Sequence, residues 1–128
     1  MRDIIYQDLC FRLNGIFYEI QNNLGNACSE KQYQDALEFK LKSNDLKYER
    51  EKDLLFKLKE GNISGNRADF IIDNKVVIDL KAKKYITRDD FKQMIRYLRA
   101  GNYKLGLIVN LGGSKVEIKR VVNSDIRI

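Results

Sequence analysis

The sequence predicts an α/β (α+β) domain, a mixed sheet flanked by helices, and three observations predict it. Apolar residues recur at helical spacing over residues 4–23 and again over 30–41. The period changes to strand-like segments from Leu46 onward. Helical spacing returns after Thr87, and two β-branched runs close the chain.

Each element has a local reason. Ile4, Ile5, Leu9, Leu13, Ile16, Phe17 and Ile20 form the stripe of a first helix that ends at Asn22, Asn23 and Gly25. Ser29 followed three residues later by Gln32 is a capping-box pattern, and Tyr33, Ala36, Leu37 and Leu41 give the second helix its apolar face. Four short strands are expected next, at roughly 47–52, 54–59, 67–72 and 76–81, with a Gly/Asn-rich turn from Gly61 to Asn66. Thr87 caps a third helix with the stripe Phe91, Met94, Ile95 and Leu98, closed by Gly101. Leu105–Asn110 and Val116–Val122 are the last two strands, separated by Gly112 and Gly113. The expected order is ααββββαββ.

At 128 residues, 44% hydrophobic and 33% charged, the chain is expected to fold as one domain over 1–128. It has no unbroken apolar run long enough for a membrane span, so no membrane partner is expected. Its first ten residues carry two acids and read as a helix start, which makes the cytoplasm the default compartment. Histidine is absent. That excludes Ser/His and Cys/His nucleophile pairs, histidine bases and imidazole-based zinc sites. Cys10 and Cys28 follow no CxxC pattern and lie in helix-like segments, so both are expected to be reduced, partly buried thiols.

The net charge of +6 is unevenly placed. Residues 1–64 carry 10 bases and 11 acids, whereas 65–128 carry 14 bases and 7 acids. Between Lys81 and Lys104, the bases Lys81, Lys83, Lys84, Arg88, Lys92, Arg96, Arg99 and Lys104 face only Asp89 and Asp90. Such a stretch suits a phosphate backbone, and its plainer reading is a solvated helix face. Arg88, Lys92, Arg96 and Arg99 form a ridge on the third helix, with Gln93 and Tyr97 on an adjoining side. Tyr97 or Tyr85 is available for stacking on a base.

The segment Arg67–Lys81 is the candidate for chemistry. Strand alternation puts Asp79 and Lys81 on one face, with Ile78 and Leu80 on the other. A three-residue turn, Asp73-Asn74-Lys75, sets Ile72 opposite Val76 and therefore Asp69 opposite Asp79. A two-residue turn instead sends Asp79 to the other face. Two carboxylates facing each other repel unless a cation lies between them. Mg²⁺ or Mn²⁺ takes such oxygen ligands together with water and phosphate oxygens, and Lys81 would stand beside the attacking water. The alternative is ordinary strand-end ion pairing with Arg67, Lys81 or Lys83. Glu30 shares a helix face with Tyr33, Leu37 and Leu41, which points it toward the sheet as a further ligand. Its plainer role is an acid favoured by the helix dipole.

These residues resemble a known family. Leu24-Gly25-Asn26-Ala27-Cys28-Ser29-Glu30-Lys31-Gln32-Tyr33, Arg67-Ala68-Asp69, Asp79-Leu80-Lys81-Ala82, Gln93-Met94-Ile95-Arg96-Tyr97-Leu98 and Leu105–Asn110 together look like the GxxExxY proteins of the PD-(D/E)XK nuclease-like superfamily. The resemblance covers nearly the whole chain in the right order. It departs at Ala27, where the name-giving glycine would stand, at Gln21, where many relatives carry histidine, and at Asp79, where glutamate is more usual.

The resemblance implies a restriction-endonuclease-like core and a divalent-metal site. Glu30, Asp69 and Asp79 would be its metal ligands, with Lys81 as the lysine and Gln93 as the auxiliary polar residue. Lys83, Lys84, Arg88, Lys92 and Arg96 are the candidate nucleic-acid contacts. Three functions then compete: a Mg²⁺- or Mn²⁺-dependent nuclease acting on DNA or RNA, an inactive nuclease-fold module binding nucleic acid or a protein partner, and a plain structural protein.

Overall fold

The computed structural model describes residues 5–126. Helices α1 (Gln7–Leu24) and α2 (Glu30–Ser43) precede strands β1 (Tyr48–Lys57), β2 (Asn62–Ile72) and β3 (Val76–Lys81). Helix α3 (Arg88–Gly101) and strands β4 (Leu105–Asn110) and β5 (Glu117–Val122) follow. The order is thus ααβββαββ, one strand fewer than expected. The segments 47–52 and 54–59 merge into β1 because only Asp53 separates them, and its side chain points outward to pair with Arg67 at 3.0 Å. The real turn is tighter and earlier than the Gly61–Asn66 stretch suggests. Leu58 and Gly61 exchange backbone hydrogen bonds of 2.9 and 3.2 Å, so β2 already begins at Asn62.

The five strands lie side by side in sequence order, antiparallel except for β3 and β4, which α3 joins in parallel. Leu13, Phe17 and Ile20 of α1 and Tyr33, Leu37 and Leu41 of α2 pack on one face of the sheet, against Phe70, Ile72, Ile78 and Leu80. Met94, Tyr97 and Leu98 of α3 cover the other face, against Ala68, Ile71, Val77 and Ile108. Helix α3 lies so close to β4 that a Cβ on Gly106 would come within 2.3 Å of Met94 Sδ.

The capping box at α2 forms as its sequence pattern predicts. The Ser29 N–H donates to Gln32 Oε1 at 2.8 Å, and the Gln32 N–H donates to Ser29 Oγ at 3.2 Å. Other local expectations are corrected. Ile4 lies outside the described residues. Cys10 is buried in α1, but Cys28 lies in the loop before α2, half-buried; both are free thiols. Asn102, with φ 62°, and not Gly101, makes the left-handed stop of α3. Gly101 is needed for space instead, since a Cβ there would sit 2.7 Å from the Tyr103 ring and 2.9 Å from Leu54. Ile95 is 39% exposed and Tyr97 buried, so the covered face of α3 is turned toward Tyr97 relative to the expected stripe.

Candidate active site

The turn after β2 sets the register that the site depends on. Asp73 and Asn74 both adopt left-handed φ values, 52° and 53°, and the Lys75 N–H donates to the Ile72 carbonyl at 2.9 Å. Asn and Asp tolerate this conformation better than bulkier residues. Lys75 stays outside the ladder, so pairing starts at Ile72 with Val76, the three-residue register, and continues to Phe70 with Ile78. There the regular ladder ends. Ala68 and Ile71 both face α3 while Phe70 and Ile72 face α1 and α2, so side-chain alternation along β2 slips at Asp69. Across from it on β1, Glu51 takes a left-handed φ of 55°.

Asp69 therefore reaches over to β3 with its side chain. The Leu80 N–H donates to Asp69 Oδ2 at 2.7 Å, replacing the backbone partner that a continued ladder would supply. Asp79, 3% exposed, stands beside it, close enough for the two carboxyl groups to influence each other's ionisation. Burial first, and then the charge of Asp79, push the Asp69 carboxyl up to about 8. One oxygen of the pair is conspicuous. Asp79 Oδ2 is shielded from solvent, and among the described residues its close polar partner is the Lys81 ammonium at 3.0 Å.

Lys81 is shared. Its ammonium donates to Gln93 Oε1 at 2.9 Å and lies 3.7 Å from Asp90 Oδ1. Burial works to lower this lysine, but Asp79, Asp90 and Glu30 outweigh it and hold the ammonium above its ordinary range. Tyr97 closes the α3 side of the cluster. Burial and the charges of Asp79 and Asp69 raise its phenol to about 12. It is a wall of the site and not a stacking platform, while Tyr85, 73% exposed, stays available for that role.

Glu30 is the first residue of α2 and exposed. It senses the cluster electrostatically. Burial raises its carboxyl, Lys81 lowers it and Asp79 raises it again. Among the described residues no three Asp, Glu or Cys side chains come together closely enough to make a ready metal cage, and Glu30 forms no ion pair. Asp69 and Asp79 nonetheless fit a hard divalent cation. Two carboxylates suffice when water and phosphate supply the rest, and the buried Asp79 Oδ2, now held by an ammonium, is an oxygen of the kind such an ion takes.

Several residues support the site from behind, and of these Asn110 and Gly112 carry no obvious functional signal in the sequence. Asn110 holds the backbone after Lys81 from both sides: its Oδ1 accepts from the Lys83 N–H at 3.1 Å and its Nδ2 donates to the Lys83 carbonyl at 2.7 Å. Gly112 must lack a side chain because a Cβ there would meet Lys83 N at 2.4 Å. Tyr33 OH donates to the Gly25 carbonyl at 2.6 Å, and Gln21 Nε2 donates to the Leu111 carbonyl at 3.0 Å, which ties the helix layer to the end of β4. Asp90 stands in the sequence as one of two acids in a basic stretch. Thr87-x-x-Asp90 is its one local signal, and the Thr87 N–H donates to Asp90 Oδ2 at 2.8 Å.

Of the expected nucleic-acid contacts, Lys84, Arg88, Lys92 and Arg96 are solvent-facing and form no ion pair among the described residues. Lys83 differs, since its ammonium lies 2.5 Å from Asp90 Oδ2.

Two acids and a lysine thus stand on the neighbouring strands β2 and β3, beside the parallel β3–β4 pair that α3 joins. A family model of the PD-(D/E)XK nuclease superfamily matches residues 7–121, and the chain belongs to that superfamily. No curated protein matches it significantly. The fold is similar to the crystal structure of SSO0001, with a TM-score of 0.59 and 24% identity. That match covers 73% of this chain and 49% of that one, so this chain spans about half the length of that protein. Among the described residues no helix is long and apolar enough to cross a membrane.

Proposed function

We propose that this chain is a divalent-metal-dependent nuclease that hydrolyses phosphodiester bonds in DNA or RNA, acting as one domain over residues 1–128. The observation that carries the reading is the Asp69–Asp79–Lys81 cluster, in which the buried Asp79 Oδ2 is held by the Lys81 ammonium at 3.0 Å. Buried acids of this kind cost stability, and a site that binds a cation gives them a purpose.

Asp69 and Asp79 would hold Mg²⁺ or Mn²⁺, with Glu30 completing the shell directly or through water. The ion supplies Lewis-acid activation of water and of the phosphate. The protein supplies the rest. Lys81, oriented by Gln93, stabilises negative charge that builds on the phosphorus oxygens. Lys84, Arg88, Lys92 and Arg96, with Lys83 nearest the cluster, would carry the flanking phosphates past the strand ends.

The second reading keeps the fold without turnover, as a module that binds nucleic acid or a protein partner. The exposed position of Glu30, apart from Asp69 and the buried Asp79, favours it. One experiment separates the two. End-labelled single- and double-stranded DNA and RNA are incubated with Mg²⁺ or Mn²⁺, alongside calorimetry with the metal alone. Metal uptake and cleavage that vanish together in Asp79→Ala support the nuclease. Salt-dependent nucleic-acid binding without metal uptake refutes it in favour of the module.

A further inference from the structure

Resting on the metal-site reading above, we infer that Asp90 is a positioning residue, the carboxylate that receives the Lys81 ammonium when a divalent cation occupies Asp79. Among the described residues, Asp79 Oδ2 has a single ion-pair partner, Lys81 Nζ at 3.0 Å, and that oxygen is otherwise shielded from solvent. A cation on this oxygen and an ammonium at 3.0 Å repel, in surroundings where water screens little. The ammonium must therefore move. Gln93, at 2.9 Å, contributes a neutral carbonyl oxygen on which Lys81 can pivot.

Asp90 is the acid within short reach, 3.7 Å from the same ammonium. Its side chain is 8% exposed and rigidly held: the Thr87 N–H donates to Oδ2 at 2.8 Å, and the Thr87 hydroxyl lies 3.2 Å from that oxygen. The division of its oxygens matters. Oδ2 serves Thr87 and the Lys83 ammonium, while Oδ1 is the one facing Lys81. Asp90 thus has an oxygen in reserve for a second ammonium, and from 3.7 Å Lys81 Nζ has about an ångström to travel to reach hydrogen-bonding distance of Oδ1. Lys81 ends beside the metal site, charged, and off the metal's oxygen.

The test is Mn²⁺ affinity measured by calorimetry with the metal alone. Asp90→Asn keeps an acceptor for the Thr87 N–H but removes the charge that draws Lys81 away. Its Mn²⁺ affinity should fall about five- to tenfold. In a Lys81→Met background, where no ammonium competes for Asp79, the same substitution should lower affinity less than twofold. Asp90→Glu should restore most of the loss. Lys83→Met leaves the helix cap untouched and frees Oδ2, so it tests the exchange with opposite sign: affinity should rise with Lys81 present, and by clearly less without it.

An equal drop for Asp90→Asn with and without Lys81 overturns the inference, because Asp90 would then act only as one more negative charge. No drop in either background also overturns it. A wild-type protein that takes up no Mn²⁺ refutes the metal-site reading itself, which is a different outcome from a wild type that binds and an Asp90→Asn variant that binds as well.

Discussion

In the absence of divalent metal, the Asp69–Asp79 pair should make the protein less stable as the pH rises, and Asp69→Asn should remove that dependence. The folded protein holds a proton on Asp69 up to about pH 8, through burial and the neighbouring Asp79 charge, whereas the unfolded chain releases it in the ordinary aspartate range near 3.8. A carboxyl raised on folding contributes stability that is complete below the unfolded value and lost as the pH passes through the folded one. The window is therefore about pH 4 to pH 8. Within it the slope from this one group is about −1.4 kcal/mol per pH unit, a few kcal/mol in total. Asparagine reproduces the protonated acid, since its Oδ1 can accept from the Leu80 N–H and its Nδ2 can donate to Asp79. Urea unfolding in EDTA, at intervals from about pH 5 to about pH 8.5, gives the two curves. Titrating groups remote from the pair are common to both proteins and cancel in the difference. The wild type should lose stability relative to Asp69→Asn by about 1 kcal/mol or more per pH unit, and Mg²⁺ should restore part of the loss at the alkaline end. Parallel curves would refute the reasoning, because they would mean that Asp69 ionises in the folded protein as freely as in the unfolded one.

Lys81→Ala should cut cleavage by about 10²–10³-fold while Mn²⁺ binding stays level or tightens, as paired turnover and calorimetry assays would show. Gly106→Ala should lower stability by about 1–3 kcal/mol, read by thermal melting, because the new methyl group would overlap Met94 and push α3 off β4. Replacing Lys92 and Arg96 together with alanine should leave the melt unchanged but flatten the dependence of log affinity on log salt, by roughly 0.9 for each duplex DNA phosphate that is no longer neutralised. An unchanged slope, measured by fluorescence anisotropy, would remove those two residues from the nucleic-acid surface.

Much of the fold is legible because helices and strands advertise themselves locally. The Ser29/Gln32 box, the buried run Tyr33, Leu37, Leu41 and the apolar strands β3 and β4 stand where periodicity puts them. The errors fall where local signals are ambiguous. Asn and Gly between 61 and 66 look like a turn, but long-range pairing with β1 draws them into β2, with the strain taken at Gly65, φ 114°. Helical spacing narrows the buried side of α3 to a sector. It cannot choose between Ile95 and Tyr97, because the choice depends on how the helix rolls against Gly106 and the acids beneath it.

The amino-acid order by itself determined the kinds of groups on hand: acids, lysines and a basic helix, no imidazole, and a strand pair whose turn residues favour left-handed backbone. Only the tertiary structure decided which of them meet. Asp69 reaches Leu80 because a ladder stops, Asp90 engages two lysines because a helix start lands on a strand end, and Glu30 stays at the rim. Periodicity reflects dihedral preferences within a few residues, whereas the meeting of side chains distant in sequence depends on pairing and packing across the whole chain.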